Sequence, residues 1–268
     1  MKLTWLGFFG CLFFIISCGS VNYNETKPSS TYTNELMQAV LWHQVSGERK
    51  AMCYQAFNLA RLRIDAYLNT KDEDAKPAII VDIDETIVDN SPFEGKVIKK
   101  DKPYPSYWNE WVETASAKAL PGAVDFLNYV VSKNINVFYI SNRKEKNRAH
   151  TKKNLADLGF PNVDDKHLYL RNKKAVKDSL RGILSVDYEI VLLMGDNLDD
   201  FSAVFKHRST AERQSIVDSF SADFGDRFIV LPNAMYGDWE FSMYGYEGKT
   251  DEEKRKIRED HITDFNEL

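Results

Sequence analysis

Two groups of acidic residues, far apart in the chain, each close an apolar run: Ile79-Ile80-Val81-Asp82-Ile83-Asp84-Glu85-Thr86 and Ile190-Val191-Leu192-Leu193-Met194-Gly195-Asp196-Asn197-Leu198-Asp199-Asp200. Short apolar runs ending in carboxylates are the mark of buried parallel strands that deliver a site to their C-terminal edge. Acids brought together there repel one another unless a hard cation lies between them, and Mg²⁺ is the usual partner of oxygen ligands. A carboxylate beside a divalent ion is suited to a substrate that is itself an anion, such as a phosphate ester. Asp84, two residues beyond Asp82, is placed to reach the opposite side of a phosphorus atom. Asp196 and Asp200, four apart across a predicted helix start, can face the same ion, with Asp199 pointing elsewhere.

The elements that must position these groups are legible from periodicity. Asn34 to Leu68 is helical by its three- and four-residue apolar spacing, with a break expected at Ser46-Gly47. Ala78 to Asp82 is the first core strand. Asp89 to Leu120 carries Pro92, Pro103, Pro105 and many aromatics, and reads as an irregular lid or pocket wall. A helix over Ala123 to Lys133 leads into a strand over Asn136 to Ile140, which ends at Ser141-Asn142-Arg143. A helix over Glu145 to Leu158 stops at Gly159. Next come a strand at His167 to Leu170, a helix at Lys173 to Leu184, the acid-bearing strand at Glu189 to Gly195, a helix starting over Leu198 to Phe205, and a strand at Arg227 to Leu231. This alternation predicts an α/β fold: a three-layer, Rossmann-like parallel sheet with a small, mostly helical accessory or cap region. The division expected is a helical segment over 34–76, a core over 77–240 with its lid at 89–120, and a charged helical tail over 241–268 that either packs on the N-terminal helices or, as the preferred reading, is solvated.

The chain has 268 residues, 43% hydrophobic and 28% charged, enough for a sizeable core. A net charge of −5 gives no general attraction to nucleic-acid polymers or anionic membranes. Lys2 followed by the apolar stretch Leu6 to Ile16 is too short to span a bilayer comfortably and fits a signal peptide over 1–17. It ends in Ile15-Ile16-Ser17-Cys18, which resembles the bacterial lipobox, so Cys18 is the expected lipidation site. The following stretch, to residue 33, is rich in Ser, Asn and Thr, the composition of a tether. The expected location is the bacterial cell envelope, lipid-anchored. Gly19-Ser20 lacks the Asp that marks inner-membrane retention in some bacteria, which leans toward the outer membrane. With Cys18 acylated, Cys53 is left in the folded part as a buried packing residue.

Asp82-x-Asp84-x-Thr86, Ser141-Asn142-Arg143, a lysine ahead of the second acid strand, and Gly195-Asp196-Asn197-Leu198-Asp199-Asp200 follow one another in the order of the four motifs of the haloacid dehalogenase superfamily. The further strings Asp89-Asn90-Ser91-Pro92, Trp108-x-x-Trp111, Leu120-Pro121-Gly122-Ala123 and Pro232-Asn233-Ala234-Met235-Tyr236-Gly237-Asp238-Trp239-Glu240 make the chain resemble the class C acid phosphatases, from about Asn34 to Glu240. These are lipid-anchored bacterial nonspecific acid phosphatases, several of them 5′-nucleotidases. The resemblance implies Mg²⁺-dependent hydrolysis of small phosphomonoesters outside the cytoplasm, and frequent homodimers. It makes Asp82 the nucleophile and a metal ligand. Asp84 is the general acid and base, with its backbone carbonyl on the metal. Asp196 is a direct ligand, and Asp200 holds a metal-bound water or orients the neighbouring groups. Ser141 and Asn142 bind phosphoryl oxygens. Trp108 and Tyr236 sandwich a nucleobase or other aromatic leaving group. The motif lysine is Lys177 by its distance from Gly195-Asp196, with Lys174 as the alternative and Lys173 and Arg181 nearby. Phosphotransfer to an alcohol, or ligand capture on a phosphatase scaffold, are the competing activities.

Overall fold

A computed structural model describes residues 31–171 and 177–265. The signal segment, the tether with Cys18, and Lys173 and Lys174 lie outside the described residues. Helices α1 (Thr31–Val45) and α2 (Gly47–Leu68) open the chain. They part where expected, because the Ser46 hydroxyl accepts the Arg49 N–H and caps α2. Strand β1 (Pro77–Val81) follows, then β2 (Val88–Asp89), α3 (Ser91–Lys100), α4 (Trp108–Glu113), β3 (Lys118–Ala119), α5 (Ala123–Ser132), β4 (Asn136–Lys144), α6 (Arg148–Asp157) and β5 (Leu168–Arg171). The rest is α7 (Lys177–Asp187), β6 (Glu189–Gly195), α8 (Thr210–Ser219), β7 (Phe228–Val230), α9 (Asp238–Met243) and α10 (Asp251–Asp260).

The main sheet has the order β5-β4-β1-β6-β7, every pair parallel. The chain builds outward from β1 on one side through β4 and β5, then returns to lay β6 and β7 on the other. That reversal leaves a crevice at the C-terminal ends of β1 and β6, where ligands bind in open α/β sheets. The two-residue period of a strand divides β1 between layers. Ile79 and Val81 face a cluster with Phe57 and Ala60 of α2 and Leu127 of α5, while Ala78 and Ile80 pack with Leu180 and Leu184 of α7. Cys53 sits in the first cluster, wholly buried. Helix α2 thus covers one face of the sheet, whereas α1 packs on α3 through Leu36, Val40, Phe93 and Val97.

Several elements depart from the sequence reading. Segment 89–120 is not irregular: it forms α3 and α4, clipped together by an antiparallel β2–β3 pair with Val88 opposite Ala119. Its prolines punctuate helices and do not abolish them. Pro92 occupies the first turn of α3, where a missing N–H costs nothing, and Pro103 and Pro105 fall between the helices. Strand β4 runs past Ile140 to Lys144, with an irregularity between Ser141 and Lys144. Residues 198–205 make two 3₁₀ turns and no α-helix. The Asp200 carboxylate accepts the Asn197 N–H and closes the first turn, and Ser202 caps the second. Helix α8 has only Arg213 buried, so no apolar stripe announced it.

The charged tail helix α10 is not free in solvent. It has no fully buried residue, yet Arg258 pairs with Glu35 of α1 and Glu240 of α9 and meets the Tyr244 hydroxyl. No helix of the described residues is long and apolar enough to cross a membrane. If α2 is a layer of the fold, Phe57→Ala, which empties the contact with Phe126 (ring centroids 5.7 Å apart), should cost about 3–5 kcal/mol in urea unfolding. Leu62→Ala on the exposed face of the same helix should cost less than about 0.5 kcal/mol.

Candidate active site

Asp82 follows β1 and Asp196 follows β6, and the two strands are hydrogen-bonded neighbours, so both acids arrive at the crevice. Carboxylate oxygens of Asp82, Asp196 and Asp200 all lie within 4.8 Å of one another. One ion with ligand distances of roughly 2.0–2.4 Å spans that gap. Asp200 gets so close because Gly195 has no side chain: a Cβ there would stand 2.3 Å from the Asp200 Cβ. Lys177, at the first turn of α7, donates from Nζ to Asp82 and to Asp200. Burial alone would lower the Lys177 pKa, but Asp200 and then Asp82 raise it above the ordinary lysine value.

Three carboxylates and one ammonium leave two negative charges in excess if all are ionised. The proton affinities report the same imbalance. Desolvation first, with Asp200 and Asp84 adding to it against Lys177, pushes Asp82 up to about 7. Burial, then Asp200 and Asp82, raise Asp196 well above the usual carboxylate range, although it accepts from Asn233 Nδ2 at 2.7 Å. A buried all-oxygen pocket with this surplus fits a hard divalent cation, and the same residues could hold one. Asp200 is already engaged on both oxygens, by Lys177 on one and by the Asn197 N–H at 3.0 Å on the other.

As expected of a residue whose backbone carbonyl is assigned to the metal, the Asp84 carboxylate stands outside that cluster. Arg143 takes it, with Nε 2.9 Å and Nη2 2.8 Å from Oδ1. Asn90 Nδ2 adds a third contact to Oδ1 at 2.8 Å. The other oxygen, Oδ2, is held loosely, 3.2 Å from Arg143 Nε and 3.4 Å from Ser141 Oγ. Between Asp84 and Thr86 the chain turns through Glu85 in the left-handed region, φ 56°, a conformation that costs roughly 1–3 kcal/mol off glycine. The fully buried Glu85 carboxylate holds that turn by accepting the N–H and Nδ2 of Asn90 at 2.7 and 3.1 Å.

A cavity of about 330 Å³ opens over these groups, and Asp82, Asp84, Lys177, Asp196 and Asp200 all reach it. Asn142 is on its wall, whereas Ser141 is buried beneath, accepting the Arg143 N–H. Asp199 also lines it, contrary to expectation, 3.8 Å from Lys206. The outer wall is aromatic. Trp108 stands edge-on to Phe93, ring centroids 5.0 Å apart, and Tyr236 lines the same space. Both rings pack on the α1–α3 cluster and face the cavity, so packing and pocket lining are not alternatives here.

Several contributors had no role in the sequence reading. Arg143, Asn90 and Asn233 stood inside quoted motifs, and Glu94 came just after one. Arg143 and Asn233 have partners distant in sequence, Asp84 and Asp196, so spacing gave no hint of those pairings. Trp111, part of a quoted string, proves to donate from Nε1 to Asn90 Oδ1 at 2.7 Å.

Comparison with known proteins agrees with this geometry. Residues 16–239 match the family described as HAD superfamily, subfamily IIIB (acid phosphatase). Two crystal structures of the class C acid phosphatase from Bacillus anthracis, one of them with tungstate bound, share 43% identity with the chain at a TM-score of 0.84. They cover 87% of this chain, which in turn covers 99% and 98% of theirs. The stem 31 kDa glycoprotein of Glycine max is 27% identical over 217 residues, 78% of this chain and 73% of that protein. An α/β chain with a parallel five-stranded sheet and paired acids at its switch point, matched over this length, belongs to HAD subfamily IIIB and is a class C acid phosphatase.

Proposed function

We propose that this acid phosphatase is Mg²⁺-dependent and cleaves small phosphomonoesters, nucleoside 5′-monophosphates foremost, through a phosphoaspartate on Asp82. The observation that carries the reading is the juxtaposition of Asp82 with Asp196 on one side and Lys177 on the other. Asp82 and Asp196, with the backbone carbonyl of Asp84, would hold the ion, and Asp200 would hold Lys177 and orient the loop. Bound there, Mg²⁺ would neutralise charge between an attacking carboxylate and a phosphate dianion. The all-oxygen donor set favours it over softer metals. Tungstate, a tetrahedral oxyanion found in the Bacillus anthracis relative, suits the same kind of cradle.

In the first half-reaction a carboxylate oxygen of Asp82 forms the bond to phosphorus, and the ester P–O bond breaks. The departing alkoxide takes a proton from Asp84. In the second half water attacks phosphorus and gives its proton to Asp84, which frees Asp82 and inorganic phosphate. The uneven grip on Asp84 suits this exchange. Oδ1 carries the three short contacts and fixes the group, leaving the loosely held Oδ2 to receive and release the proton. Asn142 and Lys177 receive the phosphoryl oxygens. Ser141, bonded to Asp84 and the Arg143 N–H, serves that phosphate subsite from below.

Trp108 and Tyr236 offer rings to an aromatic leaving group, and stacking accepts any base, consistent with a broad substrate range. At the N-terminus, signal cleavage before Cys18 and lipidation of its thiol would hold the enzyme on the outer membrane of a bacterial envelope. A homodimer is part of the same family-based reading and is tested by sedimentation.

Asp82→Asn should abolish phosphate release from nucleotides while leaving the circular dichroism spectrum unchanged; turnover near wild type would remove Asp82 as nucleophile. EDTA should silence the wild type and Mg²⁺ restore it. Because Asp82 is pushed up to about 7, protons compete with the ion below that pH, so calorimetry should show Mg²⁺ affinity rising with pH through about 7. Trp108→Ala should raise KM for AMP roughly 5- to 100-fold, the equivalent of 1–3 kcal/mol of stacking; an unchanged KM would exclude the base sandwich. Cys18→Ser should move the protein from the membrane fraction to the soluble fraction and abolish palmitate labelling.

A further inference from the structure

The chemistry above has no use for Glu94, yet it stands in the wall of the catalytic cavity that Trp108 and Tyr236 also line. It lies in the first turn of α3, on the face that also buries Phe93 and Val97, and is only 5% exposed. Among the described residues no donor and no cationic side chain reaches its carboxyl group. Its charged neighbour is another acid, Glu240, which is itself satisfied by the Tyr244 hydroxyl at 2.8 Å and by Arg258 at 3.5 Å. Burial, then the Glu240 charge, push Glu94 up to about 7. A buried carboxylate without a donor is costly, and the neighbouring protein offers none. The missing donor has to come from whatever fills the cavity.

The shape of the cavity restricts that donor. Phosphate is fixed at the strand tips, where Asp82, Asp196 and Lys177 meet. Phe93, Tyr104, Trp108 and Tyr236 form the aromatic wall at the outer end, a setting for the flat face of a ring. Glu94 follows Phe93 directly in the chain and lines the same cavity, so it is available to the rim of a stacked ring. An exocyclic amino group there donates to the carboxylate. A ring carbonyl there sets lone pairs against it.

We propose that Glu94 reads the edge of the leaving group and favours nucleobases that carry an exocyclic amino group over those that present a carbonyl in its place; this inference rests on the nucleotidase reading above. CMP and UMP isolate the effect. They stack with nearly equal surface and differ in having an amino group or a carbonyl oxygen at position 4. At pH 8, where Glu94 is ionised, one hydrogen bond to a charged acceptor, set against one repulsive contact, gives CMP an advantage of roughly tenfold in kcat/KM, carried by KM.

The test measures kcat/KM at pH 8, where Glu94 is ionised, for CMP and UMP with the wild type, Glu94→Gln and Glu94→Ala, with p-nitrophenyl phosphate as a substrate that has neither edge. The CMP/UMP ratio within each protein cancels any difference in folded fraction. It is expected near ten in the wild type and within about twofold of unity in both variants, since the glutamine amide turns either end to the base and alanine offers neither. A wild-type ratio near one, or a preference that survives in both variants, would overturn the role of Glu94 and leave the nucleotidase reading standing. Cleavage of p-nitrophenyl phosphate with no turnover of either nucleotide would overturn the nucleotidase reading and this inference with it.

Discussion

Like charges crowded into a space that water barely enters are the constraint on which this molecule turns. Asp82, Asp196 and Asp200 share a few ångströms, and burying even one unpaired carboxylate is unfavourable by several kcal/mol. Every nearby element can be understood as a response. Parallel pairing of β1 with β6 brings two of the acids side by side. A glycine at the end of β6 admits the third. Helix α7 begins with a lysine that is nine-tenths buried and touches two of them. The remaining surplus of negative charge gives the pocket its appetite for a cation and repels an anionic substrate until one is present.

Asn90 organises the other half of the site. Its amide nitrogen donates to Asp84 and Glu85, while its carbonyl oxygen accepts from Trp111 Nε1 and, at 3.4 Å, from Arg143 Nη2. All the strong valences of one buried side chain are used, so a rotation of Asn90 would break several contacts at once. It fixes the strained turn at Glu85, presents Asp84 to the cavity, and ties both to the helix that bears Trp108. Asp84 and the helix that carries the aromatic wall are therefore joined through a single side chain.

The sequence disclosed these parts unevenly, for physical reasons. Strand β6 was delimited to the residue, Glu189 to Gly195, because a fully apolar run closed by glycine and aspartate admits few other readings. Lys177 was found because the order and separation of the acid motifs restrict where a lysine can stand, and it does touch Asp82. The fork of Arg143 on Asp84 was invisible, since nothing local ties one strand tip to the next. Helices α3 and α4 were hidden by prolines that mark helix starts and gaps as readily as they break helices. For α8 the signal was present and unused: Ser209 and Glu212 form a reciprocal cap that the string Ser-x-x-Glu advertises.

The docking of α10 carries its own consequence. Arg258 joins the end of the chain to its beginning through Glu35, and through Glu240 to the rim of the catalytic chamber. Trimming the polypeptide ahead of Arg258 would strand Glu240 beside Glu94, two acids on one rim with their counterweight gone. The strand tips would keep their arrangement, so hydrolysis itself would persist. With Glu94 reading the leaving group as proposed, such clipping would retune the enzyme's choice among esters from a helix that does not itself line the cavity.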